Sequence, residues 1–259
     1  MSHIVELHLH LDGSLRPETV WELAKEQGVE LPAKSAEEVK YMMEVPEDCK
    51  TLEEYLERFD LPLLVLQKAD AIERVTFELV EDLAKEGVEY AELRFAPQFS
   101  IKDGLTQDEV VEAAIRGAER GMKLYPQIRV GLILCCMRGN GNEKENEETM
   151  ELTGEYIKKR ILPEGKKGYG VVAMDLAGAE ALYPTYKYKE LFKKAADKEI
   201  PFTIHAGEAG GAAEVACAIE MGAARIGHGV RSYEDPAVVR MIREKGIFLE
   251  MCPTSNRIT

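Results

Sequence analysis

Short apolar segments alternate with longer amphipathic segments along most of the chain. Several of the short segments are apolar on both faces, which is typical of strands buried in a parallel sheet. The pattern predicts seven strands, over residues 4–11, 88–95, 128–137, 171–176, 202–205, 225–228 and 247–251. The longer segments between them have the apolar spacing of surface helices. This succession predicts an α/β protein whose helices lie outside a parallel sheet.

The predicted helices include residues 106–123, 186–198, 212–221 and 236–245, and the first opens on Thr-Gln-Asp-Glu, a good N-cap signature. Residues 17–85 are too many for one crossover and predict several helices inserted after the first strand. The spacing matches a TIM-like (β/α)8 barrel, which takes about 250 residues and eight strands. Only seven strands are predicted. We therefore expect residues 1–259 to form a single, C-terminally incomplete barrel domain.

Charge and composition narrow the classes of function. The 259 residues include 47 acidic and 33 basic ones, for a net charge of −14, which disfavours binding to nucleic acid backbones or anionic membranes. No apolar run approaches the roughly 20 residues that span a bilayer. The first six residues lack the features of a secretory leader, and Cys135 and Cys136 are adjacent in an apolar run, as buried reduced thiols would be. We expect a cytoplasmic protein.

Four of the five histidines lie at the ends of predicted strands. His8 and His10 point to one face because strand side chains alternate, and they could form half of a metal site. His205 is followed by Gly207, which permits a turn that brings Glu208 back as a general acid or base. His228 lies between two glycines. Each histidine alone could serve packing, and Glu208 could instead be an acid at a helix N-terminus. Their convergence predicts one zinc ion, although other divalent metals stay possible.

Two further strand ends carry polar groups. Gly178 could offer its backbone N–H to a ligand, and Asp175 or Glu180 could line a pocket or instead form a turn with a helix-capping acid. Cys252 follows the last predicted strand, but no base is placed beside it in sequence, so we do not expect a catalytic thiol.

Taken in order, these segments resemble the adenosine deaminase family of the amidohydrolase superfamily. The resemblance rests on His8-Leu9-His10-Leu11-Asp12-Gly13-Ser14, Met174-Asp175-Leu176-Ala177-Gly178-Ala179-Glu180, His205-Ala206-Gly207-Glu208, Gly227-His228-Gly229 and Cys252-Pro253-Thr254-Ser255-Asn256, with weaker support from residues 133–138. No single motif is decisive, but the ordered set is highly specific.

The resemblance implies a role for each matching position. His8, His10 and His205 would bind zinc, with His10, Asp12 and Gly178 at the substrate. Glu208 would protonate N1 of the purine, and His228 would orient the zinc-bound hydroxide. Asp12 would bind the ribose 5′-hydroxyl, and the Gly178 N–H would bind N3. The residues that match a helix covering the substrate are Leu52, Tyr55, Leu56 and Phe59, whose spacing also fits an ordinary core-facing helix.

The implied reaction is zinc-dependent hydrolysis of adenosine or 2′-deoxyadenosine to the inosine product and ammonia, in purine nucleoside metabolism and salvage. The partner would be a small purine nucleoside, and the oligomeric state is not predicted. The family also carries two adjacent aspartates at the end of strand eight, which this sequence does not reach. Adenine, another 6-aminopurine or AMP remain alternative substrates, as does a purine-binding fragment without activity. A binuclear amidohydrolase is disfavoured because no lysine lies between Val171 and Tyr186.

Overall fold

The computed structural model describes residues 4–159 and 170–257, so the first three residues used to predict the lack of a leader lie outside it. Seven strands are present in this part of the chain, each close to a predicted one. They are β1 (Ile4–His10), β2 (Val88–Phe95), β3 (Arg129–Met137), β4 (Gly170–Ala177), β5 (Thr203–Ala206), β6 (Arg225–His228) and β7 (Phe248–Glu250). The predicted number and order of strands are therefore confirmed.

All the strand pairings are parallel and follow chain order. One sheet runs β1-β2-β3-β4 and the other β5-β6-β7, and a parallel bridge between Met174 and Phe202 joins them. This is the α/β arrangement of the predicted TIM-like barrel. In the described ranges no strand pairing links β1 to β7, and Phe248 on β7 is 74% exposed. The incompleteness of the domain stays a prediction.

Ten α-helices surround the strands in the described residues. The predicted insertion between β1 and β2 forms five of them: α1 (Pro17–Gln27), α2 (Ala36–Met43), α3 (Leu52–Leu56), α4 (Asp60–Val65) and α5 (Ala69–Lys85). The others are α6 (Gln107–Leu124), α7 (Glu143–Lys159), α8 (Lys189–Asp197), α9 (Ala212–Glu220) and α10 (Pro236–Lys245). The predicted cap of α6 is a full capping box between Thr106 and Glu109. None of the helices in the described part of the chain is long and apolar enough to cross a membrane.

The core lies between strands and helices, as the two-faced apolar strands predict. Leu93, Leu132 and Leu134 are fully buried between the first sheet and its helices, and Ile204 and Ile226 are fully buried in the second. Because all strands run the same way, their carboxyl ends meet at one rim. The register places His10 beside Arg94 and Ala206 beside His228 at that rim. The candidate side chains of the separate sequence motifs therefore lie close together at this rim.

Candidate active site

Four imidazoles from three strands meet at the carboxyl rim. Ring nitrogens of His8, His205 and His228 lie within 4.8 Å of one another. His10 joins this cluster through His205, with 3.2 Å between the two Nε2 atoms. The predicted set of His8, His10 and His205 is therefore brought together, and His228 lies as close as its members. His228 has an uncommon left-handed backbone, with φ of 64°, at the turn that ends β6.

Three of the four rings are supported by polar groups on the side away from the cluster. Nδ1 of His8 lies 2.9 Å from Oε2 of Glu250, and Nδ1 of His205 lies 2.8 Å from Oδ2 of Asp175. The Asn256 amide nitrogen is 2.9 Å from Nδ1 of His228. A carboxylate against one ring nitrogen orients the ring and leaves the other nitrogen for a metal. His8 and His205 thus have the surroundings of metal ligands.

A fully buried arginine connects the two supporting carboxylates. Arg94 on β2 donates to Oδ2 of Asp175 at 3.0 Å, to Oε2 of Glu250 at 2.6 Å and to the carbonyl oxygen of Leu7 at 2.6 Å. Burial disfavours its charge, but Asp175 and Glu250 outweigh burial and raise the pKa of Arg94 above its ordinary value. Sequence reasoning missed Arg94 and Glu250. The available signal was a charged side chain near the carboxyl end of a strand, Arg94 in β2 and Glu250 in β7.

Burial also sets the charge state of the imidazoles. It lowers the pKa of His8 and His10 well below the ordinary value, and that of His228 to about 3, with neighbouring charges contributing. These rings are therefore neutral near pH 7, which is the form that binds metals. A cluster of imidazoles, two of them backed by buried carboxylates, fits a zinc ion in its chemistry. Because a buried carboxylate lies beside Nδ1 of His8 and of His205, apolar packing alone does not describe the role of these two rings.

The predicted turn at Gly207 brings Glu208 back to the cluster. Gly207 has φ of 72°, and a Cβ there would lie 2.5 Å from the Val215 side chain, so glycine is required on both grounds. Glu208 is buried, with Oε2 3.4 Å from Nε2 of His228, and it accepts a hydrogen bond from the Ser255 hydroxyl at 3.3 Å. A carboxyl group therefore faces the imidazoles from the side of the cavity.

A cavity of about 430 Å³ opens on this cluster. Its walls contain the histidines His8, His10, His205 and His228, together with Asp12, Gly178, Glu208 and the four predicted covering residues Leu52, Tyr55, Leu56 and Phe59. The covering residues therefore face the cavity, as the resemblance implied. The volume is in the range of pockets that bind small molecules.

Asp12 presents an unsatisfied polar atom at this cavity. Its side chain is buried, and its Oδ1 has no hydrogen-bond partner within the described ranges. Burial raises the pKa of Asp12 to about 7, so near neutral pH the carboxyl can either donate or accept a hydrogen bond. A buried polar atom of this kind is costly unless a ligand pairs with it.

Three other predictions can be compared with the structure. Asp175 and Glu180 are not among the cavity walls; Asp175 supports His205, and Glu180 accepts hydrogen bonds from backbone N–H groups. Of the two alternatives, the structure therefore does not support pocket groups, because both carboxylates are turned into the protein. Cys252 does line the cavity, but burial raises its pKa to about 12, which keeps the thiol protonated. This agrees with its exclusion as a nucleophile.

Known proteins resemble the chain over nearly its whole length. Adenosine deaminase of Haemophilus ducreyi is 44% identical over 253 residues, which are 98% of this chain and 72% of the relative. The solved adenine deaminase of Arthrobacter aurescens is 26% identical with a TM-score of 0.85, over 100% of this chain and 74% of its own. An amidohydrolase of Burkhoderia ambifaria, solved with bound Zn, is 22% identical with a TM-score of 0.81, over 98% of this chain and 66% of its own, and shows the fold alone.

The family comparison agrees with the geometry. The model of the family described as adenosine deaminase matches residues 4–259, a range that includes both the imidazole cluster and the cavity that faces it. The ordered motifs, the parallel barrel strands and the curated relatives all lead to the same assignment: this chain belongs to the adenosine deaminase family.

Proposed function

We propose that the chain catalyses hydrolytic deamination of adenosine and 2′-deoxyadenosine to inosine or 2′-deoxyinosine and ammonia. The observation that carries this proposal is that Glu208 and four imidazoles line one cavity, in a member of this family. The name of the Haemophilus ducreyi relative supports the same reaction. The net charge of −14 supports a free nucleoside as substrate rather than a nucleic acid.

The cofactor in this proposal is one zinc ion. His8, His10 and His205 would hold it, as the resemblance implies, and His228 lies within reach of the same position. When bound, zinc would lower the pKa of a coordinated water to about 7 and so provide a nucleophile at neutral pH. Glu250 and Asp175 would fix the rings of His8 and His205 for this purpose.

The remaining residues would bind and protonate the purine. Glu208, in its protonated form, would donate to N1 as water adds to C6, which makes C6 more electrophilic and neutralises the developing charge. His228 would orient the attacking water, and the proton that the water gives up would restore the one that Glu208 donated. The hydroxyl proton of the C6 adduct would then pass to the amino group as the C6–N bond breaks, which releases ammonia and leaves the C6 carbonyl. The Gly178 N–H would bind N3, and Asp12 would bind the 5′-hydroxyl of the ribose. Tyr55 and Phe59, among the covering residues, would exclude bulk water.

Adenine is the second candidate substrate, favoured by the structural similarity to an adenine deaminase. The unsatisfied oxygen of Asp12 favours the nucleoside, because free adenine brings no sugar hydroxyl to pair with it. Initial rates on adenosine and adenine at equal concentrations separate the two. A faster reaction with adenine would assign that base as the substrate.

The proposal is tested by following the ultraviolet change from adenosine to inosine with one equivalent of zinc. We expect turnover by the unchanged chain, and a decrease in kcat of about 10²- to 10⁴-fold for Glu208→Gln, which cannot donate the proton. The matched control is Glu234→Gln, which removes a carboxylate that pairs with Arg231 outside the cavity. Absence of turnover by the zinc-loaded unchanged chain, or full activity of Glu208→Gln, would contradict the proposal.

We further propose that the enzyme acts in the cytoplasm. All five cysteines are free thiols, and the adjacent pair Cys135 and Cys136 is buried within β3. Burial raises the pKa of both thiols, which keeps them in the unreactive protonated form. Such buried thiols are ordinary in a reducing compartment.

A further inference from the structure

Glu180 holds the turn that carries Glu208. It lies just after β4 and is 2% exposed. Its Oε1 accepts the backbone N–H of Gly207 at 2.7 Å. Its Oε2 accepts those of Glu208, Ala209 and Gly210 at 3.0, 2.9 and 2.8 Å. One buried carboxylate thus binds four consecutive N–H groups, and Glu208 supplies one of them.

Four successive N–H groups that converge on one point form a nest for an anion. Hydrogen bonds to an ionised carboxylate are stronger than those between neutral groups, so the turn is tied firmly to the end of β4. The close approach depends on Gly210, because a Cβ at that position would lie 2.9 Å from Cδ of Glu180 and 2.6 Å from Cγ of Glu214. The backbone at Gly210 therefore fits against this carboxylate.

Ordinary helix capping does not account for this arrangement. Helix α9 begins at Ala212 with Gly211 as its N-cap, and all four N–H groups on Glu180 precede that residue. The carboxylate binds the turn before the helix, where Glu208 is located. Glu180 itself does not line the cavity, so it acts from behind the turn rather than on a ligand.

We propose that Glu180 is a positioning residue of this active site. By fixing the backbone of Glu208, it holds the Glu208 carboxyl where it can donate a proton to N1 of the purine. Glu180 also follows Gly178 by two residues. It therefore connects the segment whose N–H would bind N3 to the turn whose Glu208 would protonate N1. This inference rests on the proposed function, and it assigns to Glu180 a role that the sequence did not indicate.

The test is Glu180→Gln in the zinc-loaded chain. Glutamine has nearly the same shape, but its amide nitrogen is a donor and cannot accept the N–H groups that one carboxylate oxygen now binds. We expect kcat for adenosine to fall about 100-fold through misplacement of Glu208, with KM rising no more than about tenfold and the zinc content little changed. A loss that falls entirely on KM, or a loss of zinc, would overturn the inference.

A binding measurement provides a readout that does not need turnover. Purine ribonucleoside has no amino group to lose, and its 1-deaza analogue has no N1 to receive the proton. We expect Glu180→Gln to weaken binding of the first about tenfold and to leave binding of the second unchanged, since only the first interacts with Glu208 through N1. If the unchanged chain binds both nucleosides equally, or if the variant weakens both equally, the inference fails.

Two further variants separate positioning from stability. Gly210→Ala keeps the Glu180 carboxylate but moves the turn away from it. We expect it to weaken binding of the nucleoside that has N1, as Glu180→Gln does. The losses of the two variants should not add when they are combined. Glu78→Gln removes another buried carboxylate, which binds Thr19 and Arg74 away from the cavity, and should change neither kcat nor the N1-dependent difference. Lack of adenosine turnover by the unchanged chain would count against the proposed function, whereas the binding comparison would still decide the role of Glu180.

Discussion

His8 and Glu250 are separated by 242 residues in the sequence, yet Nδ1 of His8 lies 2.9 Å from Oε2 of Glu250. The contact joins the first strand to the seventh, and both groups are buried, with side chains that are 8% and 1% exposed. Because the carboxylate faces Nδ1, the ring presents Nε2 to the other imidazoles. The geometry of the proposed metal site at β1 therefore depends on a residue near the opposite end of the chain.

We predict that Glu250→Gln weakens zinc binding about 10- to 100-fold, the usual effect of removing a carboxylate behind a metal-binding histidine. The amide keeps the size of the side chain but loses the charge that fixes the His8 ring. Competition with a chromogenic chelator measures the zinc affinity directly. Unchanged affinity would show that the contact does not support the metal site.

The matched control is Glu78→Gln. Glu78 on α5 is a buried carboxylate, and its partners are Thr19 and Arg74 rather than an imidazole. We expect zinc affinity close to that of the unchanged chain, even if stability falls. An equal loss of affinity in both variants would assign the effect to general loosening of the interior.

Arg94→Met is predicted to destabilise the chain by about 3–5 kcal/mol, because it leaves the buried carboxylate of Asp175 without its arginine and removes one of the two arginines that pair with Glu250. Urea unfolding followed by circular dichroism measures the change. Arg116→Met removes an exposed pair with Glu73 and should cost about 1 kcal/mol or less. Similar losses of unfolding free energy for the two variants would show that a buried ion pair contributes no more here than an exposed one.

Much of the fold could be predicted because it depends on local pattern. Helix α10 has the predicted bounds, since Pro236 begins it and Gly246 follows it in the left-handed conformation. The five inserted helices were less predictable individually. Their residues form short amphipathic segments whose ends depend on packing rather than on clear stop signals, so only the presence of several helices could be predicted.

The histidines and Glu208 could be predicted because strand ends and a glycine turn mark them locally. Arg94 and Glu250 could not, because their pairing joins residues 156 positions apart. Glu180 illustrates the same limit. Its sequence context allowed a pocket group or a helix cap, whereas its contacts are with a turn 27 to 30 residues away. Long-range pairing of buried charges has no periodic signal in the sequence.

Asp12→Ala is predicted to lower kcat/KM for adenosine about 10- to 100-fold, the cost of losing a hydrogen bond to a charged group. The unchanged chain should lose a similar factor when 5′-deoxyadenosine replaces adenosine, because the same contact is then missing. The two losses should not add when variant and analogue are combined. Steady-state kinetics with both nucleosides measures this, and additive losses would show that Asp12 does not bind the 5′-hydroxyl.

The last prediction concerns acid stability at the N-terminus of α1. Glu81 on α5 accepts hydrogen bonds from Arg16 at 2.7 Å and from the Tyr125 hydroxyl at 2.6 Å. These hydrogen bonds lower the pKa of Glu81 from its ordinary 4.5 to about 2, and the bond from Arg16 has the largest effect. A carboxylate whose pKa is lowered by folding stabilises the fold above its unfolded pKa, and this contribution is lost as the pH falls toward the folded pKa.

We therefore expect Glu81→Gln to destabilise the chain by about 1 kcal/mol at pH 7, as is usual for a partly exposed ion pair. The difference from the unchanged chain should shrink as the pH falls below 4.5 toward 2, because the unchanged carboxylate becomes protonated while glutamine does not titrate. Urea unfolding at a series of pH values measures the difference, with the exposed Glu119→Gln on α6 as a control. A difference that stays constant over this range would show that the Glu81 carboxylate does not contribute through its charge.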